Sequence, residues 1–120
     1  MVNSNDLGAL GEKIALDYLS KNKYKILETN WRYQHKEVDI IAVINNILCI
    51  VEVKTRSSDY ISPKEAVNKK KQQNLIIAAN EYVIQNNLDC DVRFDIIEII
   101  RNQDNTQITH IKDAFIPLLN

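Results

Sequence analysis

The sequence predicts a single α/β domain spanning residues 1–120, with a mixed β-sheet flanked by helices. Three observations predict it. Two long segments carry apolar residues at the three-to-four spacing of an amphipathic helix, and β-branched runs bounded by turn residues mark strands. Three of these strands precede the second helix and two follow it, giving the order α-β-β-β-α-β-β. Short turns make the first three strands antiparallel neighbours. A helical crossover then allows a parallel pair, so the sheet is mixed.

The first helix covers residues 5–21, with Leu7, Leu10, Ile14, Ala15, Tyr18 and Leu19 on one face and Ser4 or Asn5 as cap. Both glycines of the chain, Gly8 and Gly11, lie in this helix. Each costs about 1 kcal/mol relative to Ala in a helix interior. Their place in or beside the apolar stripe predicts close packing on the sheet. Glu12 lies at the border of that stripe. Residues 24–34 read as a strand that weakens at Thr29-Asn30. Residues 37–54, EVDIIAVINNILCIVEVK, read as a β-hairpin around Asn45-Asn46. Asn tolerates the positive φ that both central positions of a type I′ turn require. After a polar loop, Ser62-Pro63-Lys64-Glu65 has the pattern of a capping box with Pro at the first helical position. The second helix is expected to run from there to about Gln85, burying Val67, Leu75, Ala78, Ala79, Tyr82 and Val83. Residues 91–100 and 107–112 supply the last two strands.

Composition narrows the function. No apolar stretch approaches the roughly 18 residues needed to span a bilayer. The N-terminus lacks the basic and apolar regions of a signal peptide. A cytoplasmic protein with no membrane partner is expected. Cys49 and Cys90 are isolated and lack metal-ligand spacing, so they read as reduced thiols. The formal net charge is −1, which excludes a generic polyanion binder, but eleven of the fifteen Lys and Arg fall between Lys21 and Lys71. A local basic patch steers nucleic acid even when the total is near neutral.

The hairpin carries the sharpest signal. With a two-residue loop, Asp39 faces Glu52 and Glu37 faces Lys54. Opposed Cβ atoms lie about 4.5–5.5 Å apart, and like charges placed there destabilise the pair. A divalent cation between Asp39 and Glu52, a shared proton or a register slip would each relieve the repulsion. A solvated hairpin end with an ordinary Glu37–Lys54 pair is the bland alternative.

Glu52-Val53-Lys54 is an E-x-K on a strand, with Asp39 on the partner strand. The arrangement resembles the PD-(D/E)xK nuclease superfamily, whose restriction-endonuclease-like αβββαβ core matches the order above, with one extra C-terminal strand here. Val38 stands where the nominal motif has Pro. Further segments extend the match: GxxGE at 8–12, ILETNWR at 26–32, EVDII at 37–41, VEVKTR at 51–56, KQ at 71–72, RFD at 93–95 and HIKDAF at 110–115. Over nearly the whole chain these resemble the YraN-like family of small bacterial proteins. That family usually has Gly where this chain has Lys36, and often Gly in the loop that here reads DYIS. The superfamily also includes Holliday-junction resolvases, similar in placing a helix Glu ahead of the Asp and E-x-K.

The resemblance implies a metal-dependent nuclease acting on DNA, on branched or flapped structures rather than on a particular sequence. Mg²⁺ or Mn²⁺ is the implied cofactor, because phosphodiester hydrolysis needs a cation to neutralise developing charge and acidify a water. Mg²⁺ takes oxygen ligands and keeps several waters, so few carboxylates suffice. The expected ligands are Asp39, Glu52 and the Val53 carbonyl, with Glu12 binding directly or through water. Lys54 would orient the attacking water or stabilise charge. Glu37 ranks behind these. Lys71 and Gln72 match the family's K-Q and are expected to touch phosphate, as are Arg56 and Arg32 along the backbone. The resolvases' paired cuts imply a homodimer. A non-catalytic nucleic-acid- or protein-binding module that keeps the fold is the competing class. Arg93 and Asp95 read as a structural pair, and neither His35 nor His110 has a partner at metal spacing.

Overall fold

The computed structural model describes residues 4–57, 67–103 and 105–117. The elements are α1 (Ser4–Lys21), β1 (Lys25–Tyr33), β2 (Lys36–Ile44), β3 (Ile47–Arg56), α2 (Lys69–Gln85), β4 (Asp91–Asn102) and β5 (Asn105–Ile111). They form one five-stranded sheet in the order β1-β2-β3-β4-β5. The β3–β4 pair is parallel and the other three pairs are antiparallel. The mixed sheet and the αβββαβ order with an added strand are as the sequence predicts. Among the described residues no helix is long and apolar enough to cross a membrane.

Each helix covers one face. Ala15 and Leu19 of α1 pack with Ile40, Ala42, Cys49, Val51, Ile97 and Ile99. Leu75, Ala78, Ala79 and Tyr82 of α2 pack on the other side with Ile41, Leu48, Ile50, Phe94 and Ile96. The alternation along β3 accounts for this, since successive side chains point to opposite faces. Trp31 meets Tyr82 edge-on at 5.1 Å between ring centroids, which commits it to packing against α2.

The hairpin between β2 and β3 has the expected loop. Asn45 and Asn46 have φ of 49° and 61°, and Ile44 pairs with Ile47. Two other expectations fail. Val67 and Asn68 are non-helical, and Asn68 caps α2 by accepting from the Lys71 N–H at 2.8 Å. A helix continuous from residue 62 is therefore excluded. The Ser62–Glu65 capping box lies outside the described residues, as do the side chains of Ser4 and Asn5. The glycines also differ from one another. A Cβ on Gly11 would overlap the Thr55 side chain, so this glycine lets α1 lie directly on β3. A Cβ on Gly8 would meet nothing within 4 Å, so close packing does not explain that glycine.

A buried polar network ties the far side of the sheet to α1. The Asp95 carboxylate accepts from Arg93 Nε and Nη2 at 2.9 and 2.8 Å and from the Asp113 N–H at 3.0 Å, and it bonds His110 Nε2 at 2.7 Å. Tyr18 Oη of α1 bonds His110 Nδ1 at 3.0 Å, and Arg93 donates to Tyr24 Oη at 2.8 Å. The structural pairing of Arg93 with Asp95 is as predicted, and His110 completes it. These bonds hold the Asp95 carboxyl down at about 2, against the opposing effect of burial.

Gly11→Ala is expected to lower stability by about 1–3 kcal/mol through overpacking against Thr55, whereas Gly8→Ala should raise it by up to about 1 kcal/mol. Denaturant melts of the two variants check the contrast. Asp95→Ala leaves Arg93 without its buried partner and should cost about 3–5 kcal/mol. Because the folded pKa of Asp95 lies below its ordinary value, its stabilisation is complete above pH ~4 and lost as pH falls through ~2. An acid titration should therefore show a limb in that window that Asp95→Ala lacks.

Candidate functional site

The site forms where β2 and β3 part. Their backbone pairing runs from Ile44–Ile47 to Ile40–Val51 and stops there. In a continued ladder, the Val53 N–H and C=O would both pair with β2. Instead the Val53 N–H donates to Asp39 Oδ2 at 2.8 Å. The alternation of faces breaks at the same point. Val38 packs on the α2 side and Ile40 on the α1 side, although strict alternation would put both on one face. On β1, the pairs Thr29–Ile40 and Trp31–Val38 place Asn30 opposite Asp39, and Asn30 has φ of 50°. The weakness read in this strand is thus a left-handed residue beside the site.

This kink places Asp39 between the two faces. On the α2 side it meets Glu52, as the hairpin register requires. Glu52 is only 2% exposed, and its Oε2 pairs with Lys71 Nζ at 2.8 Å. Its Oε1 is buried with no hydrogen-bond partner. Burial and the adjacent Glu52 carboxyl push the Asp39 carboxyl up to about 7, against the Val53 N–H and the Lys71 charge. The same contact raises the Lys71 ammonium above its ordinary value. With both carboxyls ionised neither can donate to the other and Glu52 Oε1 has no partner; a protonated Asp39 could donate to Glu52.

On the α1 side lies a cavity of about 340 Å³, lined by Leu7, Gly8, Glu12, Asn30, Glu37, Asp39, Val53, Lys54 and Thr55. Glu12 Oε1 accepts from Asn30 Nδ2 at 2.8 Å. Burial first, then the Asp39 charge, raise the Glu12 carboxyl. Gly8 leaves this wall open, and the Gly11–Thr55 contact sets the distance of Glu12 from the sheet.

The structure thus brings Glu12, Asp39, Val53 and Lys54 around one cavity, with Glu52 joined to it through Asp39. Glu37 lines the same cavity, but its Oε2 takes the Arg32 Nε at 2.8 Å across β1–β2. The Glu37–Lys54 pair of the bland alternative is not formed: β1 offers Arg32 directly opposite Glu37. Lys54 lies beside Glu98 in the parallel β3–β4 register. Lys71 reaches the carboxylates themselves. Gln72 instead bonds the Val67 carbonyl at 2.9 Å, stabilising the start of α2. Arg56 ends β3. Sequence reasoning missed Asn30 and Thr55. An Asn in the middle of a strand was the available signal for the first, and the spacing of Gly11 on α1 for the second.

The donor set can be tested against a metal. Among the described residues no three of His, Cys, Asp and Glu converge as a cage. Two carboxylates do, with one oxygen unpartnered and a backbone carbonyl at the same edge. That set suits Mg²⁺ or Mn²⁺, which keep several waters and need few carboxylates, and not a structural zinc site. Glu12, bound to Asn30, would reach such an ion through water. Cys49 is no nucleophile: burial pushes its thiol up to about 11.

The sequence model of the uncharacterised protein family UPF0102 matches residues 11–99, which include Glu12, the hairpin and α2. The chain belongs to UPF0102. A UPF0102 protein of Flavobacterium psychrophilum is 52% identical over 116 residues, covering 96% of this chain and 98% of its own. Those of Christiangramia forsetii and Parabacteroides distasonis are 50% and 47% identical, each covering 96% of this chain and 98% and 96% of their own. The YraN-like resemblance therefore stands, and the site of this UPF0102 chain rests on its own geometry.

Asp39→Asn removes one of two facing charges while keeping an acceptor for the Val53 N–H. It should raise the stability of the metal-free protein at pH 8 by about 1 kcal/mol, the scale of a like-charge pair across strands. Thermal melts in chelator check this, and a fall in Tm would contradict it.

Proposed function

We propose that this chain is a Mg²⁺- or Mn²⁺-dependent nuclease that hydrolyses DNA phosphodiester bonds, on branched or flapped structures rather than at a particular sequence. One observation carries the reading: a half-buried Asp39 and a buried Glu52 are held face to face, with an oxygen of Glu52 unpartnered. The single Lys71 ammonium leaves two ionised carboxylates short of positive charge, and a divalent ion supplies it. When bound, that ion would neutralise charge developing on the phosphate and lower the pKa of a water.

The chain's own residues have distinct tasks. Asp39, Glu52 and the Val53 carbonyl hold the ion, and Glu12 holds a water across the cavity. Asn30 orients Glu12 through its side-chain amide. Lys54, on the cavity wall, orients the attacking water or stabilises the anionic phosphate. Arg32 fixes Glu37 at the rim. Lys69, Lys70 and Lys71 form the first turn of α2, which has no acidic residue. Cations there oppose the helix dipole. A local rule broken beside a candidate site is a functional sign, and this one supports a polyanionic substrate, with Gln72 next along the helix. So small a surface suits recognition of structure better than sequence.

The experiment is cleavage of labelled single-stranded, duplex, flap and four-way-junction DNA, with an RNA control, in Mg²⁺ and in Mn²⁺. Cutting should stop in chelator and fall by about 100-fold or more in Asp39→Asn and in Lys54→Ala. Cutting that survives both substitutions would refute the assignment. Metal uptake without cutting would favour the binding module, and absence of metal uptake would remove the metal site.

A further inference from the structure

Lys71, expected to touch phosphate, instead pairs with a carboxylate of the site. Its ammonium lies 2.8 Å from Glu52 Oε2, inside a cluster where Glu52 is almost fully buried. Its own side chain is 44% exposed, so it enters from the surface and can leave without stranding an apolar stem. Its backbone is fixed independently, because the Lys71 N–H donates to the Asn68 cap at 2.8 Å. Movement of the ammonium therefore requires side-chain rotation alone. Lys69 and Lys70, exposed beside it on the same turn, mark where it would go.

Charge counting decides what happens when a divalent ion arrives. Above the raised Asp39 value, as at pH 8, two ionised carboxylates and one ammonium leave the cluster one charge negative. Adding a divalent ion with the ammonium in place would make it one charge positive, whereas adding the ion and expelling the ammonium leaves it neutral. Close like charges in a poorly solvated place repel strongly. The ammonium also sits on the same Glu52 carboxylate that the ion would bind, through Oε2.

We propose that Lys71 is a displaceable internal cation: it fills the carboxylate site of the metal-free protein, is expelled by the divalent ion, and is thereby released to take a backbone phosphate of the nucleic acid. This deepens the metal-site reading and rests on it. The ammonium stays charged throughout, and no bond is made or broken. The consequence is coupling. Metal and polyanion each favour the state in which Lys71 has left Glu52, so each raises the other's affinity by the same factor.

The first test is Mn²⁺ binding by calorimetry without nucleic acid, at pH 8, on the native chain, Lys71→Met, Lys71→Gln and the distant Lys25→Met. Removing the competitor should tighten Mn²⁺ binding by about fivefold or more in both Lys71 variants, within the usual range of such couplings, and leave Lys25→Met unchanged. Thermal melts confirm folding, and the Gln variant retains a donor for Glu52 should the Met variant unfold. Native binding that is equal to or tighter than that of the Lys71 variants would overturn the displacement while leaving the metal site intact. If neither the native chain nor any variant binds Mn²⁺, the metal-site reading fails instead. The second test is affinity for a phosphorothioate-substituted duplex, which resists hydrolysis, with and without Mn²⁺. The gain in affinity from Mn²⁺ should shrink in Lys71→Gln, and an undiminished gain would overturn the transfer to phosphate.

Discussion

The N–H of Val53 donates to the carboxylate of Asp39 where a continued ladder would give it to the backbone of β2, and the rest of the site follows from that exchange. It ends the pairing of β2 and β3 at Ile40–Val51. It holds Asp39 where its carboxyl meets Glu52 on one side and the cavity of Glu12 on the other. It also leaves the Val53 carbonyl without its ladder position. A buried backbone donor must be satisfied, so the strands can separate at this point only because a side chain takes over the bond. Asn30, left-handed and opposite Asp39, makes room for the same kink from β1.

Two polar arrangements of opposite character share the sheet. Around Asp95 every oxygen has partners, two of them from Arg93, and the carboxyl is held far below its ordinary value. Around Asp39 and Glu52 the donors are too few, and the Asp39 carboxyl is raised. The first arrangement joins β4, β5 and α1 and reads as structure. The second is an unfilled demand for positive charge, which separates a candidate site from a salt bridge of the fold.

Much of this was legible in the chain. Asn45-Asn46 between β-branched runs specified the turn, and the turn alone fixed Asp39 opposite Glu52. The order of elements followed from periodicity. The misses have particular causes. Gly8 and Gly11 look alike on a helical wheel, and only Thr55 on another element distinguishes them. Ser62-Pro63-Lys64-Glu65 is a stronger local start signal than Asn68 followed by three lysines, so the helix was expected to begin too early. Lys71 therefore lies in the first turn of α2 rather than further along it, and its pairing with Glu52 was not legible in the sequence. The hairpin alone left Glu37 open between pairing with Lys54 and holding a water, and Arg32 on the neighbouring β1 settles its partner. The bond from His110 to Asp95 crosses β4 and β5, and spacing rules for metal ligands do not look for it.

The route by which the charges meet also bears on how the molecule assembles. Asp39 and Glu52 are joined by a two-residue turn, among the most local connections in the chain, whereas Lys71 reaches them from the helix that carries the chain over to β4. Local contacts close with less loss of chain entropy than distant ones. Closing the turn that joins the two carboxylates therefore costs less chain entropy than bringing Lys71 to them, and the β-branched strands and the Asn-Asn turn oppose the repulsion within the hairpin itself. The local sequence that makes the site recognisable is thus also what offsets an electrostatically unfavourable pair.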